Sequence, residues 1–298
     1  MSVTLLVLPD FLLVALGWML RHRLGFDRSF FAGLERLVYF VLFPALLFQA
    51  ILRTPLSAGS AAMLLQAVLL VLVAGNAAAW LARPVLKPDP LAHASVAQCA
   101  YRFNTYIGLA LSASLGGSRG QTIMAVLVGL AVPVANVMAV HALARHNGGR
   151  LGRELLRNPL VVSTLAGLAG NFAGLHLPAP VDTVLGRLGA AAIALGIICV
   201  GANLSWEGSR RAGGLIAWML AVKLAVLPLA AIAVAHVLAL PPLEARMLLV
   251  FAALPTASAA YVLAMRMGGD GRMVAVVISL GTLISAASIP MWLLVARP

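Results

Sequence analysis

Acidic side chains are scarce in this chain: Asp and Glu together number nine in 298 residues, and charged residues of both signs make up 10%. An ordinary soluble domain carries about 25%. So small a polar complement cannot dress the surface of a water-soluble fold. With 62% of residues hydrophobic, the chain reads as an all-α polytopic protein of the lipid bilayer. Cysteine is nearly absent as well. Cys99 and Cys199 both fall in apolar runs, which argues against a disulfide framework or a metal centre and for small packing residues. The six histidines are dispersed, and no Walker A phosphate loop is present. No metal, cofactor or ATP-driven step is expected. The letters G-x-S-x-G do occur, as GGSRG at 116–120. A nucleophile elbow needs a strand–turn–helix setting and a His/Asp pair. Here the letters join two apolar runs, so an enzyme is not expected.

What is abundant is positive charge, +12 at neutral pH. It sits between the apolar runs with no base-stacking aromatic pattern, so positive loops, not nucleic-acid binding, are the expectation. A helix needs about 20 apolar residues to cross a bilayer. Ten such runs can be drawn, at about 3–20, 30–52, 61–82, 92–115, 121–143, 158–176, 184–204, 214–239, 243–267 and 272–295. The start, MSVTLLVLPDFLLVALGWMLRHR, has its positive charges after the apolar run. It reads as a retained first helix and not as a cleaved signal.

Lys and Arg crowd the odd-numbered connections: Arg21, Arg23 and Arg28; Arg83 and Lys87; Arg145, Arg150, Arg153 and Arg157; Arg210 and Arg211; Arg266 and Arg272. The even connections and the tail hold Arg53, Arg119, Arg187, Arg246 and Arg297. The positive-inside rule puts the odd loops in the cytoplasm and both termini outside.

The two halves, 1–150 and 151–298, echo each other. Pro9 and Gly17 recur as Pro159 and Gly167, Arg36 as Arg187, and Gly116-Gly117 as Gly268-Gly269. Five spans per unit is an odd number, so the second unit enters the membrane from the opposite side. Inverted repeats of this kind build many secondary transporters, which bind cargo near the midplane where broken helices meet. The same offset carries Phe103-Asn104-Thr105-Tyr106 onto Pro255-Thr256-Ala257-Ser258. Pro255 has no amide hydrogen and interrupts span 9. The groups it frees must be buried in protein or line a wet cavity.

The stretches RFNTYIGLAL with GG after it, NPLVV, GLAGN, GANL, KLAVLPL and ALPTASAAYVLA with GGD resemble the auxin efflux carrier family, along essentially the whole chain. That family includes bacterial members described as malonate or malate carriers. The resemblance implies ten transmembrane helices in two inverted five-helix repeats, related to bile-acid symporters, with crossover helices 4 and 9 broken. It implies a scaffold of spans 1, 2, 6 and 7, a mobile unit of spans 3–5 and 8–10, an organic-anion cargo and a homodimer. The family's crossover asparagine falls on Asn104 and its crossover proline on Pro255. Two departures stand out. No proline follows Gly108 closely, and none precedes the closing glycine of span 7 in IALGIICVGANL.

Arg102 lies about 10 residues into span 4, roughly 15 Å deep. A charge there costs about 2.5–3.5 kcal/mol on insertion scales, and the acids all fall at span ends or in loops. Arg102 therefore either donates to carbonyls of the broken helix or meets an anionic ligand. Asn104 and Thr105 can satisfy freed backbone groups, and Asn104 also offers donors to a carboxylate. Thr256 and Ser258 bring hydroxyls, while Tyr106 is an amphipathic aromatic. The substrate-binding set is thus Arg102, Asn104, Thr105, Tyr106, Pro255, Thr256, Ala257 and Ser258, with Gln49, Asn136, Lys223 and Tyr261 in support. Lys223, deep in span 8, is expected to snorkel toward the cytoplasm. Gln49, Asn76, Gln98 and Asn136 read first as polar glue between helices. Pro44 and Pro133 are expected to kink spans 2 and 5.

The expected function is secondary transport of a small organic anion across the cell (inner) membrane by elevator-type alternating access, with a proton or sodium as the candidate coupling ion. Sodium-coupled symport of the bile-acid type is the alternative, and a non-transporting membrane sensor the reading from another class.

Overall fold

The computed structural model describes residues 3–53, 58–147, 159–204, 213–257 and 259–296. Among these residues the chain is helical throughout, with no strand. Residues 148–158 and 205–212, which hold Arg150, Arg153, Arg157, Arg210 and Arg211, lie outside them, as does Ser258.

The first segment is α1 (Val3–His22), α2 (Arg28–Leu37), a π-helical turn (Val38–Leu42) and α3 (Phe43–Leu52). The next is α4 (Ala58–Trp80), the short α5 (Ala82–Leu86), α6 (Pro90–Ala97), a 3-10 turn (Gln98–Ala100) and α7 (Thr105–Asn147). Then come α8 (Pro159–Phe172) and α9 (Ala179–Ala202). The chain continues with α10 (Gly213–Ala221), a second π-helical turn (Val222–Val226), α11 (Leu227–Val237), α12 (Pro242–Ala253), α13 (Ala259–Arg266) and α14 (Gly271–Val295).

Helix starts follow capping chemistry. Asp27, Asp89 and Asp270 each accept a main-chain N–H three residues on, from Phe30, Ala92 and Met273. This satisfies one of the orphan amides of each new helix. At Asp27 that bond, with the Ser29 hydroxyl, holds the carboxyl below its ordinary range.

Among the described residues, six stretches are long and apolar enough to cross a membrane: Arg28–Leu52, Ala62–Leu86, Pro90–Leu143, Ala179–Ala202, Gly213–Val237 and Gly271–Val295. The protein is thus a multi-pass membrane protein. The third stretch, of 54 residues, is far longer than one crossing needs, and it divides twice. It breaks at 101–104, before α7 begins. It kinks again at Gly117, whose φ of 59° and ψ of −153° are open only to a residue without a Cβ. The letters GGSRG therefore mark a bend between two helical arms. The remaining runs read from the sequence appear as shorter or interrupted helices: α1, α8, and α12 with α13.

Pro44 and Pro228 each stand at the start of the helix that follows a π-helical turn. A proline donates nothing to the carbonyl four residues back. For Pro228 that carbonyl is Leu224, and the indole N–H of Trp292 on α14 takes it at 2.8 Å.

Packing sorts most helices into two groups. α1 lies against α9, α3 against α8, and α9 against α3. In the other group α7 packs on α4 and α12, and α11 on α4 and α12. The α1–α9 contact is made at the backbone. A Cβ on Gly17 would lie 1.9 Å from the Ile198 carbonyl oxygen, and one on Gly201 would lie 1.8 Å from that of Val14. Small residues at a helix interface allow this approach in a membrane, where lipid is as apolar as leucine and close contact drives association.

Candidate functional site

The two interruptions meet. The main-chain N–H of Asn104, in the break before α7, donates to the carbonyl of Pro255, in the break after α12, at 2.8 Å. A second tie runs beside it: the Thr256 hydroxyl donates to the carbonyl of Cys99 at 2.7 Å. A third joins the Gln98 amide to the carbonyl of Ala260 at 3.2 Å. Each break thus satisfies main-chain groups that the other leaves open, which buried backbone requires. Asn104, Thr105, Pro255 and Thr256 are all buried, and Ala257 is half-buried.

Asn104 caps the helix it precedes. Its Oδ1 accepts from the N–H of Tyr106 at 3.0 Å and of Ile107 at 3.2 Å. The side-chain oxygen is committed to the helix, so the amide Nδ2 is the group left to recognise a ligand. It stands at the amino end of α7, where the helix dipole favours negative charge. Tyr106, two residues on, stacks on Phe43 of α3 with ring centroids 4.4 Å apart and planes 13° from parallel. It therefore bridges the two helix groups.

Arg102 is buried and paired with neutral acceptors. Its guanidinium donates to Gln98 Oε1 at 2.9 Å and to Asn136 Oδ1 of α7. These are side-chain amides, not the broken-helix carbonyls that were one of the two alternatives read from the sequence. Gln98 and Asn136 are thus drawn into the site as the holders of Arg102.

Lys223 differs from expectation more sharply. It does not snorkel: it is 1% exposed, and its ammonium donates to the carbonyl of Ala252 at 3.2 Å. Ala252 is in the last turn of α12, where carbonyls lack helical partners and the dipole is negative. A cation there caps the broken helix, and that interaction outweighs reaching for water. The ion pair formed among the described residues is Arg53 with Asp182. The two buried cations beside the crossing therefore have no carboxylate partner there.

The supporting candidates divide. Gln49 of α3 lies elsewhere, donating to the main-chain oxygen and the carboxylate of Asp182 on α9 at 2.6 and 2.7 Å. It is helix glue within the first group. Asn76 lines a groove of about 590 Å³ with Trp80 and His141.

Tyr261 of α13 lines a larger cavity of about 660 Å³, walled by Arg21, Arg28, Glu35 and Asn203 from α1, α2 and the end of α9 and by Met265, Asp270 and Arg272 from α13 and the head of α14. Sequence reading placed Glu35 among span-end acids. The structure puts it about two turns inside the apolar stretch 28–52, facing this cavity. The available signal was an acid inside a long hydrophobic run.

The sequence profile of a family described as "Membrane transport protein" matches residues 2–151 and 142–293 of the chain. A "Putative malonate transporter" of Rhizobium meliloti (strain 1021) is 22% identical over 300 residues, covering 97% of this chain and 94% of that protein. An "Uncharacterized transporter" of Methanothermobacter thermautotrophicus (strain Delta H) is 27% identical over 299 residues, covering 98% of each.

Proposed function

This chain belongs to the membrane transport protein family, the auxin efflux carrier family whose motifs it carries, and on that premise we propose that it is a secondary transporter of a small organic anion, a carboxylate, across the cell membrane. One observation carries the choice of an anion. Arg102 and Lys223 sit beside the crossing, buried, held by neutral acceptors and free of any carboxylate among the described residues. Hydrogen bonds to amides and carbonyls satisfy the donors but leave the charge uncancelled. An anionic cargo cancels it, and a cationic one adds to it. The name of the Rhizobium relative points to the same chemical class.

The reading extends to architecture. Ten spans form two inverted five-helix units, 1–150 and 151–298, with spans 4 and 9 broken where they cross. Spans 1, 2, 6 and 7 form the scaffold and the rest the moving unit, consistent with the two packing groups. Asn104 Nδ2, the amino end of α7 and Arg102 hold the carboxylate, with Thr105, Tyr106, Pro255, Thr256, Ala257 and Ser258 around it. The unit then slides against the scaffold in an elevator motion. The odd loops face the cytoplasm and both termini face out, and the chain works as a homodimer. Lys223 already fills a carbonyl site at the end of α12 of the kind a sodium ion would seek, which favours sodium-independent transport.

The test is uptake of labelled malonate, with an unlabelled carboxylate panel as competitors, into proteoliposomes of the purified protein with and without sodium. Saturable uptake that Arg102→Gln lowers at least tenfold is the expected result. Absence of flux for every carboxylate tried sinks the reading.

A further inference from the structure

The cavity lined by α1, α2, α13 and α14 contains a carboxyl for which the cargo site above has no use. Glu35 faces it from α2. Asn203, at the carboxyl end of α9, donates its Nδ2 to Glu35 Oε1 and to the carbonyl of Cys199 at 2.9 Å. Arg21 lines the same wall but directs its guanidinium to the carbonyl of Ala202. Glu35 forms no ion pair among the described residues. A carboxyl held by a neutral amide is acceptable in either protonation state, since the N–H meets a carboxylate oxygen or an acid's carbonyl oxygen alike. A carboxylate locked to arginine is not.

The other groups facing the cavity are Arg28 on α2, Tyr261 on α13, and Asp270 with Arg272 at the head of α14. Arg21, Tyr106 and Cys199 lie within electrostatic reach of Glu35, Arg21 favouring its ionised form. Three arginines invite an anion into this space, and two carboxyls oppose it. Asp270 is occupied in capping α14 through the N–H of Met273. Glu35 is therefore the acid free to answer the anion by taking a proton.

We infer that Glu35 is a proton-binding group linked to the cargo: an anion passing through this cavity toward the crossing, where Tyr106 lies within electrostatic reach of Glu35, draws a proton from the buffered solvent onto Glu35, and the neutral carboxyl then lets the cavity close. The first part follows from linkage. Two negative charges in one cavity repel, so the anion favours the protonated acid, and the proton favours the anion to the same degree. The second follows from burial. Tyr261, Met265 and Ile278 line the cavity with Glu35, so an ionised carboxyl shut in against them would lose its water without gaining a partner. The inference rests on the carboxylate reading above and adds the ion that travels with its binding step.

Isothermal titration of malonate into the purified full chain, repeated in buffers of different ionisation enthalpy, counts protons taken up per anion bound. A fractional uptake approaching one is expected for the wild type and near zero for Glu35→Gln, with Glu35→Asp restoring it. A second measurement needs no cargo. On a downward pH jump, the infrared difference spectrum should gain a protonated-carboxyl band that is absent in Glu35→Gln. If malonate gives no heat, the carboxylate reading is what suffers, and the infrared band still decides the role of Glu35. If Glu35→Gln takes up as many protons as the wild type, or keeps the band, the inference is wrong.

Discussion

Replacing Asn104 with aspartate separates two roles that alanine would confuse. Oδ1 of Asn104 accepts from the N–H groups of Tyr106 and Ile107, and a carboxylate oxygen in its place accepts them at least as well. Two amide donors and the amino end of α7 favour the ionised form, so Asn104→Asp keeps the cap. Asn104→Ala removes it and costs about 1–2 kcal/mol, because residues 104 and 107 are buried and water cannot substitute. Cargo feels the opposite ranking. The aspartate turns the donor Nδ2 into a negative oxygen. For a carboxylate held about 5 Å from it at an effective dielectric near 20, the repulsion is about 3 kcal/mol, roughly a hundredfold in affinity. The variants are purified in detergent, melted with a size-exclusion readout, and assayed for malonate uptake. Asn104→Asp should melt near the wild type yet lose uptake roughly a hundredfold, while Asn104→Ala should melt lower and keep more of its uptake. Wild-type uptake by Asn104→Asp would place the cargo away from this side chain. An equally low melting point for both variants would refute the capping assignment.

Thr256→Val, nearly isosteric, leaves the buried Cys99 carbonyl without its hydroxyl partner. A loss of about 1–3 kcal/mol is expected, read as a lower melting temperature. Lys223→Met removes a buried charge held by one hydrogen bond to Ala252. Stability should fall only modestly, since the uncapped Ala252 carbonyl is offset by removing a buried charge, while KM for malonate should climb about tenfold as one positive charge near the crossing disappears. Gly201→Ala puts a methyl group where the Val14 carbonyl stands, and Gly17→Ala does the same against Ile198. Either must push α1 from α9, and the yield of folded protein in a fluorescence-detected size-exclusion profile should fall sharply, while Gly33→Ala, with open space around it, should not matter.

Much of this was legible from hydropathy and from two short motifs. Apolar runs flagged the six stretches long enough to cross among the described residues. The polar tetrad at 103–106 and the proline at 255 pointed close to the interruptions, because both signals are local, although the first break falls at 101–104 with Thr105 and Tyr106 already helical. The partners of Arg102 were half legible. Gln98 is four residues back, one helical turn, whereas Asn136 lies far along α7 and meets Arg102 only through packing. Lys223 was misjudged because snorkelling assumes water within reach, and the carbonyl of Ala252 was nearer. Glu35 was passed over because it adjoins Arg36 near a span end, where charges are ordinary. Its hydrogen bond to Asn203 joins residues that no sequence window contains.

The π-helical turns at Val38–Leu42 and Val222–Val226 bear on how this chain should be compared with others. Such a turn holds one residue more than the α-helical path, and a residue is worth about 100° of rotation about the axis. Everything from Leu227 to Val237 is therefore out of phase with Gly213 to Ala221. A helical wheel drawn through the whole stretch assigns the wrong faces beyond residue 226. Relatives lacking the extra residue will align only with a one-position gap inside an apparently continuous hydrophobic run. Deleting one residue here would keep the stretch just as apolar and turn its second half to face the wrong neighbours.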